Sequence, residues 1–278
     1  MFLRPTTLLE ATQALAGGGQ LLAGGTDFYP ALGTRPVVGT LIDISKVAEL
    51  RAIETSNNCV RIGGATTWSE IAAAELPRCF RALQAAAREI GAIQIQNRGT
   101  IAGNLCNASP AADGVPPLLI LDAEVELSSV TGIRRMLLKD FLVGNRKTQR
   151  QPDEILSSVV VPLGAADAAS VFLKLGARRY LVISIAMVAA LISDDGDGKV
   201  GSARVAVGSC SATARRLEEL ERDLFGQAVR SNLSRTVKPH HLASLSPIDD
   251  VRATAEYRLD AVLTLVRRSI KLCLETRP

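Results

Sequence analysis

Through residues 1–160 the apolar positions come in short runs, each closed by glycine or a polar break. Thr7-Leu-Leu-Glu10 has the form of a capping box and predicts a helix to about Ala16, where Gly17-Gly18-Gly19 ends it. Leu21-Leu22-Ala23 predicts a short strand running into Gly24-Gly25, and Thr40–Ile44 and Cys59–Ile62 predict two more. Trp68–Ala74 and Arg78–Ile90 predict helices parted by Pro77. In Glu124–Ser128, Val125 and Leu127 share one face, as a strand's period of two requires. Such alternation of strand and helix predicts an α/β or α+β domain.

A boundary is expected at Pro162–Ala169, a small-residue stretch after the strand Ser157–Val161. Beyond it, Ser170–Leu175, Leu181–Ser193 and Ala203–Gly208 predict strands, the middle one apolar on both faces and therefore buried. Ala212–Phe225 predicts a helix with Leu217, Leu220 and Leu224 on one side. Asp249–Glu275 predicts a longer one, with Val251, Ala255, Leu259, Val262, Val266, Ile270 and Cys273 stepping by three or four. Three strands followed by two helices predict a small α+β domain with helices on one face of its sheet.

Composition narrows the functions. The 278 residues are 47% hydrophobic and 22% charged, which is globular rather than disordered. A net charge of +4 is a small, scattered excess and does not argue for nucleic acid or an anionic membrane. The longest apolar run, Leu181–Ser193, is shorter than the ~20 residues a bilayer span needs, so no membrane span is expected. Met-Phe-Leu-Arg-Pro at the amino terminus has no signal-peptide pattern and predicts a cytoplasmic protein. Cys59, Cys79, Cys106, Cys210 and Cys273 form no C-x-x-C, and the two histidines, His240 and His241, are adjacent. Neither set has the ligand spacing of a structural zinc site or an iron–sulfur cluster, so no metal site is expected.

Three glycine-bearing loops are candidates for chemistry. Gly196-Asp-Gly198-Lys-Val-Gly201 matches G-x-G-x-x-G by letter, but a strand follows it and three aspartates precede or interrupt it. A dinucleotide fingerprint needs a helix there, so this is read as a hairpin turn. The second loop is Leu21, Leu22, Ala23, Gly24, Gly25, Thr26, Asp27 and Phe28. Two glycines after a strand can turn successive N–H groups toward one anion; the same letters also suit an ordinary tight turn. The third is Asn97-Arg-Gly-Thr-Ile-Ala-Gly-Asn104 with its continuation to Asp113. It interleaves amides, hydroxyls and a carboxylate with Ile101, Ala102, Leu105 and Ala108, and reads either as a polar-ligand loop or as solvated surface.

Ala23-Gly-Gly-Thr-Asp27 and Thr100-Ile-Ala-Gly-Asn104 with Ala108-Ser-Pro-Ala-Ala-Asp113, about 75 residues apart, resemble the FAD-binding medium subunit of molybdenum hydroxylases, the carbon monoxide dehydrogenase and xanthine dehydrogenase family. The likeness continues through Leu118-Leu-Ile-Leu-Asp-Ala-Glu-Val-Glu126, Asp153-Glu-Ile-Leu156 and Lys174-Leu-Gly-Ala-Arg-Arg179, and covers essentially the whole chain.

The resemblance implies an α+β architecture: a vanillyl-oxidase-type FAD-binding fold of two α+β subdomains over 1–165, split near 55–60, then a carbon monoxide dehydrogenase flavoprotein-like α+β domain over 168–276. By position it implies that residues 21–28 wrap the FAD diphosphate and that Thr100, Ile101, Ala102, Gly103 and Asn104 wrap it from the other side. It gives Asp113 a cofactor hydroxyl, Leu156 a place near the adenine or ring system, and Lys174 a place near the flavin. Relatives often carry a lysine after the first loop; here Tyr29-Pro-Ala-Leu-Gly-Thr-Arg35 intervenes. No histidine stands in the amino-terminal half, so FAD is expected to be non-covalent. The implied function is an oxidoreductase's electron-transfer subunit, working beside a large molybdopterin-binding subunit and a small [2Fe–2S] subunit and delivering electrons to NAD, a quinone or oxygen. A self-sufficient FAD-dependent oxidase and a cofactor-free scaffold are the other readings of the same letters.

Overall fold

Thr7 caps the first helix as its letters require: its hydroxyl accepts from the Glu10 N–H, and the Glu10 carboxylate returns to the Thr7 N–H. That helix, Leu8–Ala16, belongs to the first of two units in this computed structural model, which describes residues 1–229 and 232–276. The first unit comprises Met1–Ala74, Ala92–Ala108 and Ala123–Leu163; the second comprises Glu75–Gly91, Ser109–Asp122 and the chain from Gly164 onward.

In the first unit, Phe2–Leu3, Leu41–Asp43 and Gln20–Leu22 form a parallel sheet in that order. Ala11 and Leu15 of the helix meet Ile42, Ile44, Val47, Leu50 and Ile155 in one buried cluster. A second, antiparallel sheet runs Ile53–Thr55, Cys59–Gly63, Ile155–Pro162, Glu124–Ser129, Gly132–Leu137. Its central strand is buried along its length except at Pro162, which accounts for the run Ser-Ser-Val-Val-Val in the sequence. The hairpin strand Gly132–Leu137 is not marked by any alternation, because it is largely exposed on both faces.

In the second unit, Ala169–Leu175, Ala186–Asp194, Val200–Gly208 and Arg215–Arg216 form an antiparallel sheet. Ala186, Val188, Ala190 and Ile192 share a buried cluster with Val262, Val266 and Ile270 of the helix Ala255–Glu275. Met187, on the alternate side, lies against Gly208 and Pro116 of the helix Val115–Ile120. The helix Arg81–Glu89 packs on Ala169–Leu175. Helices thus cover both faces of this sheet rather than one, and the second cover comes from sequence upstream of the sheet. This is why its middle strand is apolar on both sides.

Several expected bounds shift for local reasons. The strand expected from Leu181 begins at Ala186, since residues 176–185 form a loop. The helix expected over Ala212–Phe225 is shortened to Glu218–Leu224, because Arg215 and Arg216 pair with Val207 and Ala206. The last helix starts at Ala255 instead of Asp249: Thr254 caps it, and the Asp250 carboxylate ties 250–253 into a turn through the Arg252 and Ala253 N–H groups. Arg78–Phe80 is a 3-10 turn before the α-helix Arg81–Glu89. Gly196–Gly201 is a hairpin turn, with Asp194 Oδ1 accepting from the Gly196 and Gly198 N–H groups.

Candidate functional site

The strand Gln20–Leu22 delivers the first loop, and the short helix Phe28–Leu32 leaves it. Gly25 sits at φ +76°, the left-handed region that favours glycine. The N–H groups of Gly24, Gly25, Thr26 and Asp27 donate to no acceptor among the described residues. Consecutive unspent amides in this setting have the donor chemistry of an anion cradle. Asp27 is exposed and its carboxylate caps no N–H. The Arg35 guanidinium donates to the carbonyls of Ala31 (2.6 Å) and Leu32 (3.3 Å) at the end of the helix Phe28–Leu32.

The third loop lies against the first within the same unit. A Cβ on Gly24 would stand 1.8 Å from the Arg98 carbonyl oxygen and 3.1 Å from Gly99 Cα. A Cβ on Gly99 would lie 3.6 Å from Thr26 Oγ1. The two glycine turns therefore meet backbone to backbone, although some 75 residues separate them in sequence. Gly24 is needed at the closest point, a role the sequence does not assign to it, and Arg98 and Gly99 are its counterparts.

The third loop differs from the first in its donors. Thr100 caps the helix Ile101–Asn107, its Oγ1 accepting from the Gly103 N–H at 3.1 Å. Ile101 N–H donates to the Thr66 carbonyl, Ala102 N–H to Gly64 and Asn104 N–H to Thr100. The amides of 101–104 are thus committed within the chain. What this loop leaves unmatched is a side chain: Asn104 Oδ1 is buried without a partner. An acceptor of that kind suits a ligand hydroxyl rather than a phosphate oxygen. Ile101 and Ala102 are buried anchors that fix the helix.

Leu156 is buried in the central strand of the five-stranded sheet, where the register slips between Leu156 and Ser158. It supports the third loop through its backbone. A Cβ on Gly64 would come within 2.2 Å of the Leu156 carbonyl, and the Gly64 carbonyl accepts from Ala102. The doublet Gly63-Gly64 was the available signal for this buttress.

Asp113 and Lys174 belong to the second unit. Lys174 Nζ lies 2.6 Å from Asp113 Oδ2 and donates to the Glu89 carbonyl at 3.2 Å. The Ser184 hydroxyl donates to Asp113 Oδ1 at 2.5 Å. Burial pushes the Asp113 carboxyl above the usual carboxylate range, against the pull of Lys174 and Ser184. Ser184 is a partner that the sequence gives no reason to choose over other loop serines.

One group among the described residues gathers metal-ligand side chains: Asp223, His240 and His241. Its bonding argues against a cation. His241 Nδ1 accepts from the Lys238 N–H at 3.0 Å, so the neutral ring carries its proton on Nε2, which faces Asp223 at 3.0 Å. A ligating histidine needs the opposite arrangement, with the far nitrogen donating.

Residues 1–164 match the family described as FAD binding domain in molybdopterin dehydrogenase, and 172–272 match the carbon monoxide dehydrogenase flavoprotein C-terminal domain. A nicotinate dehydrogenase FAD-subunit of Eubacterium barkeri is 39% identical over 66% of this chain and 65% of its own, so the match spans just under two thirds of that relative. A putative xanthine dehydrogenase FAD-binding subunit of Escherichia coli K12 is 32% identical over 96% of this chain and 93% of its own. Among solved structures, carbon monoxide dehydrogenase from Hydrogenophaga pseudoflava superposes with a TM-score of 0.90 at 26% identity, covering 100% of this chain and 98% of that one. No helix among the described residues is long and apolar enough to cross a membrane.

Proposed function

Because the chain belongs to the family of FAD-binding medium subunits of molybdenum hydroxylases, we propose that it binds FAD non-covalently and carries electrons from iron–sulfur clusters on a small partner subunit to NAD, a quinone or oxygen. A large molybdopterin-bearing partner would host the hydroxylation itself. FAD, when bound, supplies both one- and two-electron redox chemistry.

The observation that carries this reading is the row of unspent N–H groups from Gly24 to Asp27, fixed by the contact of Gly24 with Arg98 and Gly99. Each amide donating to an ionised oxygen contributes about 1.5–3 kcal/mol, so this loop can hold a diphosphate without a lysine or arginine. The residues 21–28 are accordingly assigned to the diphosphate. Thr100–Asn104 is assigned a different part of the contact: its helix is fixed internally and Asn104 Oδ1 is left for a cofactor hydroxyl. Asp113 uses one bond on each oxygen and, with about four lone-pair sites, retains capacity for a hydroxyl. Leu156 acts as a backbone support.

Reconstitution tests the reading. The purified chain mixed with FAD should retain a flavin absorption spectrum through gel filtration and release all of it on denaturation. A protein that takes up no FAD at micromolar concentration would refute the assignment. Flavin that stays with the denatured chain would refute non-covalent binding.

A further inference from the structure

The loop of residues 176–185 joins the strands Ala169–Leu175 and Ala186–Asp194, and it is tied down at several points. The Ile185 N–H donates to the Leu175 carbonyl at 2.8 Å, closing the loop at its base. Inside it, the Arg178 guanidinium donates to the Leu181 carbonyl. Leu181 itself stands at φ +53°, a conformation that a branched side chain adopts only when its surroundings enforce it. A Cβ on Gly176 would meet Val182 Cγ1 at 2.3 Å, so the two limbs touch where only glycine fits. Yet the tip is not packed: Tyr180, Leu181 and Ile183 are 58%, 54% and 53% exposed. Arg179 lies over the Tyr180 ring.

Both feet of this loop end on one carboxylate. Lys174, next to the last residue of the incoming strand, reaches Asp113 Oδ2; Ser184, two residues before the outgoing strand, reaches Asp113 Oδ1. Asp113 comes from a different stretch of chain and is itself buried. We propose that Asp113 is a positioning residue: it pins the two limbs of the 176–185 loop and so fixes the exposed Tyr180–Leu181–Ile183 tip relative to the sheet. The ammonium of Lys174 and the tip are then held as one piece. This role stands apart from cofactor binding and needs no FAD.

The loop carries its own reporter. Arg178 and Arg179 are tryptic sites, and in the closed loop the Arg178 side chain is occupied by the Leu181 carbonyl. Trypsin must draw the segment into an extended form, which the Ile185–Leu175 bond, the Arg178–Leu181 bond and the Gly176–Val182 contact oppose, so the cleavage rate reads the opening equilibrium. Limited trypsin digestion of the FAD-free protein, followed by mass spectrometry, should cut the Arg178 and Arg179 bonds at least about tenfold faster in Asp113→Asn than in wild type. Asn keeps an acceptor for Ser184 but sets an N–H group or a neutral oxygen against Lys174. Ser184→Ala frees one foot only and should give a smaller, several-fold rise at the same two bonds. Lys174→Arg, which keeps a cation against Asp113, should keep near-wild-type rates. Acceleration confined to these bonds supports the proposal. Equal rates in wild type, Asp113→Asn and Ser184→Ala overturn it, and so does a rise shared by all tryptic sites, which would mean general destabilisation. If Asp113→Asn does not fold, Ser184→Ala decides alone. Failure of the wild-type chain to bind FAD would leave these rates untouched, so the two readings fall separately.

Discussion

Substituting Gly24 by alanine is the sharpest perturbation of the candidate site. The new Cβ would lie 1.8 Å from the Arg98 carbonyl oxygen and 2.6 Å from its carbon. A carbon and an oxygen rest at about 3.3 Å or more, so one backbone must retreat by about 1.5 Å. Residues 98–99 cannot yield that distance freely. The Gly99 carbonyl accepts from Trp68 N–H at 3.2 Å, and the Gly99 N–H donates to Ile95 at 2.6 Å. Losing both costs about 2 kcal/mol. Overpacking adds about 1–3 kcal/mol, so the first unit should lose about 3–5 kcal/mol of stability. Displacing the Gly24–Asp27 amides from two of their bonds to an ionised ligand removes about 3–6 kcal/mol of binding, at least a hundredfold in Kd. Urea unfolding measures the first effect, and quenching of flavin fluorescence on titration measures the second. Gly25→Ala is the control. Its φ of +76° costs about 1–2 kcal/mol, but the Cβ meets only the ring edge of Tyr29 at 2.8 Å, and that ring is 57% exposed and can swing away. A Gly24→Ala protein as stable as wild type and equally tight for FAD would refute the claim that the two loops meet at this glycine.

Further outcomes follow from the same geometry. Gly103→Asp should weaken FAD binding while sparing most of the fold, because its Cβ would meet only Thr100 Oγ1, at 3.0 Å, and it adds a negative charge next to Asn104, on the loop that meets the diphosphate-holding turn; undiminished affinity would count against placing this loop at the cofactor. The Arg134 guanidinium holds the Glu154 carboxyl below its ordinary range; burial pushes Glu126 up, but Ser158, Arg135 and Arg61 outweigh it, and at Glu70 the Thr67 N–H and Arg51 do the same. Depressed carboxyls stabilise the fold fully above their unfolded pKa of about 4.3 and lose that contribution as pH falls through the folded values, so urea midpoints should drop on acidification below that point. Asp113, shifted upward, acts in the opposite sense but is outnumbered by the depressed carboxyls, Asp43 and Asp250 among them; a midpoint that rises would contradict the pairings. Burial pushes the Cys79 and Cys210 thiols up to about 11, so iodoacetamide near neutral pH should label neither until the chain unfolds. Zinc should leave the melting temperature unchanged, since His241 has the wrong tautomer for a ligand; a saturable rise abolished by His241→Ala would reverse that conclusion.

Local chemistry was the most legible part of the sequence. The capping box at Thr7 and the hairpin at Gly196 follow from nearest neighbours alone, and both take the expected form. The paired loops were recognisable by their letters, and their meeting at Gly24 follows the resemblance rather than any periodicity. The division of labour between them was not readable. That the amides of 101–104 are spent depends on the carbonyls of Thr66 and Gly64, which come from a distant turn. The helix Val115–Ile120 escaped notice because all six residues are buried, which removes the amphipathic signal, and two prolines stand in its first turn. Asp113 looked like a ligand residue; its bonds to Lys174 and Ser184, 61 and 71 residues away, depend on tertiary structure that no local pattern encodes.

The polypeptide passes from one unit to the other at 74–75, 91–92, 108–109, 122–123 and 163–164. A ribosome finishing residue 164 has released two helices, Arg81–Glu89 and Val115–Ile120, whose apolar sides have no sheet to rest on until the strands from Ala169 onward are made. Expression of a 1–164 fragment should therefore yield a sticky, chaperone-dependent product rather than a free-standing module, and the nascent chain must wait for its own carboxy-terminal strands.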